Sequence, residues 1–120
     1  MELTKSVEDY LETILMVKLT RGVCKAINIA EHLEVSKPAV TKAINFLITK
    51  GYVIKDGTKI ELTDIGQAYA EKCYEKHLTI KALLLRLGVS EEDAEKDCCR
   101  IEHCITENTF NALKKHLEEL

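Results

Sequence analysis

The chain has 120 residues, 46% of them hydrophobic and 31% charged, which suits an ordinary globular protein of one domain or two very small ones. Apolar runs are short, Ala82–Leu85 being cut by Arg86, and Met1–Lys5 lacks the apolar core of a secretory signal, so a cytoplasmic protein with no membrane partner is expected. The net charge of −3 is uneven: residues 1–62 carry nine Lys/Arg against eight Asp/Glu, while residues 63–120 carry eight against twelve.

Ser6–Thr20 places Val7, Leu11, Ile14 and Leu15 on one face, the pattern of an amphipathic helix, and Arg21 and Gly22 end it. Ala26–Leu33 reads as a second, short helix with Ile27, Ala30 and Leu33 facing inward. After a tight turn at Glu34–Ser36, Ser36 suits the N-cap of a third helix through Lys50, with Pro38 tolerated in its first turn. Val40, Ile44 and Leu47 form its inner stripe, and Gly51 stops it. Tyr52–Lys55 and Lys59–Leu62 flank Asp56–Thr58, a hairpin signal with Gly57 in the turn. Thr63 caps a long fourth helix to about Leu87, closed by Gly88. Ser90 opens a fifth helix to about Ile105, and Thr106 caps a sixth over Glu107–Leu120.

Helix, tight turn, helix and two-stranded hairpin, in that order, is the arrangement of a winged helix-turn-helix, whose second helix enters the major groove of DNA. The expected fold is therefore mainly α: a winged helix-turn-helix with a small two-stranded wing over residues 1–63, then a helical domain over 64–120. Within Val35–Lys59 Asp56 is the one acid, beside Lys37, Lys42, Lys50, Lys55 and Lys59. With the apolar stripe turned inward, helical spacing turns Pro38, Thr41, Lys42 and Asn45 outward, with Ser36 and Lys37 at the helix start. Hydroxyl, ammonium and amide groups there suit phosphate and base-edge contacts to a double-stranded operator, and Lys59 in the wing suits an adjacent phosphate. The plainer alternative is solvated polar residues on an all-helical domain.

On the fifth helix Ala94, Cys98, Ile101 and Ile105 make an apolar stripe, with Glu95, Cys99, Glu102 and His103 on a neighbouring face. Cys99, Glu102 and His103 stand at i, i+3 and i+4, so thiolate, carboxylate and imidazole can converge on one cation; they can equally be surface polar residues beside a filler cysteine. His77 lies in the apolar stripe of the fourth helix, where a satisfied core histidine is the commoner case. Asp9 and Glu12 form an i, i+3 carboxylate pair on the first helix, a placement that often only complements the helix dipole. The five cysteines, Cys24, Cys73, Cys98, Cys99 and Cys104, are odd in number and include no CxxC pair, which argues for reduced thiols and against a disulfide framework or zinc knuckle. The stripe Ala94, Cys98, Ile101 and Ile105, with Phe110, Leu113 and Leu117 of the last helix, is assigned to a homodimer interface, intrachain core being the alternative.

Five stretches carry a family resemblance: Ser6–Ile14, Ile29–Leu33, Val35–Thr41, Leu62–Gly66 and Cys99–His103. In this order they resemble the diphtheria toxin repressor family of iron- and manganese-dependent repressors, nearest its short manganese transport regulator branch. The resemblance implies a homodimer with a winged helix domain followed by a helical domain for metal binding and dimerisation. It places metal ligands on Asp9, Glu12, His77, Cys99, Glu102 and His103. The manganese branch has a carboxylate where Cys99 stands; the iron branch has a cysteine there, but a methionine in place of Asp9. The iron branch's ancillary site uses a carboxylate where this chain has Lys81, and the chain's end at Leu120 leaves no room for that branch's SH3-like domain. The implied activity is metal-dependent repression in metal homeostasis with Mn(II) or Fe(II) as activator, and with Co(II) or Zn(II) able to bind in vitro. Oxygen and imidazole ligands suit Mn(II) and Fe(II), whereas a thiolate shifts preference towards Fe(II), Co(II) or Zn(II).

Two other readings compete. One is a winged helix regulator responding to thiol oxidation at Cys98–Cys99 or to a small ligand, although adjacent helical side chains point about 100° apart and do not readily bridge. The other is a metal hydrolase built on His77, Glu102 and His103, which lacks an HExxH pair or a nucleophile, so no enzyme is expected.

Overall fold

The computed structural model describes residues 5–119. The reading of Met1–Thr4 as free of an export signal, and the extension of the last helix to Leu120, lie outside the described residues. Two compact units divide the chain, Met1–Cys73 and Tyr74–Leu120. Among the described residues no helix is long and apolar enough to cross a membrane.

In the first unit α1 (Lys5–Arg21), α2 (Ala26–Leu33) and α3 (Lys37–Thr49) precede the antiparallel strands β1 (Val53–Asp56) and β2 (Lys59–Leu62), and α4 (Asp64–Arg86) begins here. Six consecutive residues of α1, Tyr10 to Leu15, are buried. The stripe expected on α3 is the one observed, with Val40, Ile44 and Leu47 buried. On α2 the phase differs: Ile27 is 48% exposed and Ile29 is fully buried. Eight residues make barely two turns, so both phases fit the sequence, and packing against α1 and α3 chooses between them.

The turn between α2 and α3 closes on Glu34, which adopts a left-handed φ of 55° while its N–H donates to the Ala30 carbonyl. Ser36 then caps α3, its Oγ accepting the Ala39 N–H at 3.2 Å. Asp56 pairs with Lys59, which leaves Gly57 and Thr58 as a two-residue hairpin turn. Gly57 has φ 64° at the first turn position, as a type II′ turn requires. A third segment lines this wing: Ile60 N–H donates to Cys24 O at 2.8 Å, and Lys25 bridges to Lys59. Thr63 Oγ1 ties the wing to α4 by donating to Gly51 O at 2.6 Å and accepting Gly66 N–H at 3.1 Å. A Cβ on Gly66 would overlap the Tyr52 carbonyl oxygen, so the Leu62–Gly66 stretch needs its glycine for close backbone approach.

The second unit holds the later turns of α4, α5 (Glu91–Ile101) and α6 (Glu107–Glu118). Leu87, just past the end of α4, is 71% exposed, and Leu83 is buried one turn earlier. Helix α5 stops at Ile101, short of the expected Ile105. Thr106 must be extended (φ −77°, ψ 164°) for its hydroxyl to accept Thr109 N–H and cap α6, so α5 has to end before it. Glu102 nevertheless keeps helical angles, and its N–H reaches Cys98 O at 3.0 Å. It therefore stays in register with the α5 cysteines. Ser90 caps α5 as expected, accepting Asp93 N–H at 3.2 Å.

Candidate nucleic-acid interface and metal centre

The outward face of α3 is as its spacing requires: Ser36, Lys37, Pro38, Thr41, Lys42 and Asn45 are all exposed, as is Lys59 on the wing. The Ser36 cap sets the N-terminal end of α3, where helix polarity favours anions such as phosphate. The Lys25–Lys59 bridge holds the Lys59 backbone while leaving its side chain in solvent.

The second unit gathers titratable side chains around His77. Cys98 Sγ lies 3.5 Å and Cys99 Sγ 3.6 Å from His77 Nδ1, and the three ligand atoms fall within 4.8 Å of one another. Across the ring, Glu95 Oε1 is 3.2 Å from His77 Nε2, and Glu95 Oε2 is 2.8 Å from Lys81 Nζ. With Nε2–H donating to Glu95, Nδ1 is left facing the thiols, the arrangement in which an outer carboxylate orients a metal-binding imidazole. Glu102 Oε1 is 3.8 Å from His77 Nδ1 and 3.4 Å from His103 Nε2. Glu102 is only 3% exposed, yet neither of its oxygens accepts a hydrogen bond from a described residue.

Charge states follow from these neighbours. Burial pushes the Cys98 thiol up to about 12, and the neighbouring Cys99, Glu95 and Glu102 add to it. It is a thiol at neutral pH and donates to Glu95 O at 3.3 Å. Burial alone would raise the Glu95 carboxyl, but the hydrogen bond and charge of Lys81 and the contact with His77 outweigh it and hold it below the usual range. On α1, Asp9 is half-buried and Glu12 is 5% exposed.

Residues 2–59 match the family profile described as "Iron dependent repressor, N-terminal DNA binding domain", and residues 63–120 match "Iron dependent repressor, metal binding and dimerisation domain". An uncharacterized HTH-type transcriptional regulator of Methanocaldococcus jannaschii is 34% identical, over 98% of this chain and 96% of its own length. The chain belongs to the iron-dependent repressor family. The transcriptional regulator MntR of Escherichia coli O6:H1 is 32% identical, over 90% of this chain and 70% of its own. The crystal structure of T. acidophilum IdeR superposes with a TM-score of 0.83 at 30% identity, covering 92% of this chain and 53% of that one. The chain spans about half the length of the solved IdeR, SloR and MtsR chains it matches. It is a metal-dependent transcriptional regulator of the MntR and IdeR type.

The second unit's residues fit a divalent metal ion. A buried carboxylate that accepts no hydrogen bond from the described residues is costly, and a cation shared with the neighbouring imidazoles of His77 and His103 would remove that cost. The donor set, mixed sulfur, nitrogen and oxygen, is one that first-row metals accept. Three neighbours were outside the ligand set read from sequence: Cys98, Glu95 and Lys81. The spacing of Glu95 and Lys81, on facing helices, offered no signal for their pairing. Cys98 was assigned to a dimer stripe instead. Of that stripe, Ala94, Cys98 and Phe110 are buried within the single chain, whereas Ile101, Ile105, Leu113 and Leu117 are half-buried.

Proposed function

We propose that this chain is a DNA-binding repressor that is activated by Mn(II) or Fe(II) and controls metal-ion homeostasis. The observation that carries the reading is Glu102, a buried carboxylate that accepts no hydrogen bond from the described residues although it lies beside two imidazoles. His77, Cys99, Glu102 and His103 hold the ion on the second unit, and Asp9 and Glu12 of α1 complete the ligand set. When bound, the ion supplies a fixed positive charge that ligands on separate helices share. Because α1 is also the centre of the DNA-binding unit, holding its two carboxylates restricts where that unit can be. Ser36, Lys37, Pro38, Thr41, Lys42 and Asn45 then read the major groove, and Lys59 meets a flanking phosphate. A homodimer presents two such helices to successive grooves. Ile101, Ile105, Leu113 and Leu117 remain its candidate contacts because they are half-buried.

A tenfold gain in DNA affinity needs only about 1.4 kcal/mol of coupling, within reach of ordering one junction. Fluorescence anisotropy with a promoter duplex, with chelator and with added Mn(II) or Fe(II), tests the reading. Affinity is expected to rise at least tenfold with metal. Identical binding in both states overturns the proposal.

A further inference from the structure

We infer that Cys98 is a second sulfur ligand beside Cys99, so that the His77 centre is a two-thiolate site selecting Fe(II) over Mn(II). The inference rests on the metal-activated reading above and sharpens its choice of metal. Its ground is the contact of both thiols with one imidazole nitrogen: 3.5 Å from Cys98 Sγ and 3.6 Å from Cys99 Sγ to His77 Nδ1. Neighbouring helical side chains diverge by about 100°, so two adjacent cysteines meet a common atom only when that atom sits over the ridge between them. His77 on α4 does so, and Glu95, tied to Lys81, faces the ring's other nitrogen. The three donors are close enough together to share one ion.

Within the chain Cys98 is fully buried, so a dimer contact does not explain it, and besides the imidazole it meets only its neighbour Cys99 and the Glu95 carbonyl among the described polar groups. Binding balances simply. Each thiol releases its proton to solvent as its sulfur takes a bond to the ion, so two protons leave for each dication and two thiolates neutralise its charge. Soft thiolate ligands favour Fe(II), Co(II) and Zn(II) over Mn(II), which lies lowest in the affinity order.

The test counts sulfurs. Co(II) is titrated into the full chain and into the variants Cys98→Ser and Cys99→Ser, and the thiolate-to-cobalt charge-transfer absorbance is read at saturation. Each single variant is expected to keep about half the wild-type intensity. Full intensity in Cys98→Ser, with none in Cys99→Ser, overturns the inference. X-ray absorption of zinc-loaded wild type needs no variant: two sulfurs at about 2.3 Å are expected, and one or none overturns it. The metal-activation reading is separated by DNA binding. Two sulfurs with metal-independent DNA binding leave the ligand assignment standing and sink the repressor mechanism; one sulfur with metal-dependent DNA binding does the reverse.

Discussion

Helix α3 and the His77 centre are built by opposite rules. On α3 the apolar residues Val40, Ile44 and Leu47 are buried and the polar ones face water. Around α5 the acids of the first turn are in solvent, while Cys98 and Glu102 are buried with His77. Polar groups on α3 are satisfied by water until an external partner replaces it. Those around His77 have already lost water, so they must be satisfied by one another or by a ligand. Substitutions on the first surface should therefore change binding and leave folding alone, and substitutions in the second should change stability according to whether metal is present.

The largest effect expected is on that second side. With Mn(II) or Fe(II) at a thousandfold excess over Kd, wild type should gain about 4.1 kcal/mol of stability in urea unfolding. Glu102→Gln should gain nothing from metal and be no less stable than wild type without it. A metal-free Glu102→Gln protein that is much weaker would mean the carboxylate is already satisfied, and the contrast would fail.

Next is Gly66→Ala, which drives a methyl group into the Tyr52 carbonyl and should destabilise the first unit by about 3 kcal/mol, since backbone cannot move aside as a side chain can. Chemical denaturation read by a probe in the wing checks it. A neutral result would show that the wing tolerates displacement. On α3, Asn45→Ala should weaken operator binding by about 2 kcal/mol while changing the unfolding midpoint hardly at all. A comparable loss in both would make Asn45 part of the fold. The smallest effect belongs to the wing: Lys59→Ala should lower the slope of log K against log salt by about 0.9, the signature of one lost phosphate contact. An unchanged slope would remove Lys59 from the interface.

Much of this was legible from the residues. Ser36, Ser90 and Thr106 cap the helices they were expected to cap, because a hydroxyl three residues ahead of a free N–H is a local interaction. The inner stripe of α3 was legible for a similar reason: thirteen residues are enough turns to define one phase. Helix α2, with eight, was not, and Ile27 turned outward. The end of α5 was misplaced because the residues from Glu102 to Ile105 retain helical compatibility, and the need to cap α6 overrides it. The resemblance supplied the ligand types His77, Cys99, Glu102 and His103, and the fold brings Glu102 close to both histidines.

The kinds of group, their helical spacing and the ends of most elements are properties of short stretches of chain, and the sequence alone determined them. The company each group keeps is a different matter. His77 and Cys98 are twenty-one residues apart, and nothing local specifies that they meet; the approach of α4 to α5 brings Nδ1 over the ridge between two cysteines. That approach is set by apolar burial along both helices, of Ile80, Leu83 and Ala94 among others, and it acts on whole faces rather than single residues. It moved Cys98 from a presumed dimer stripe to the side of His77, where its chemistry bears on which metal the regulator answers to.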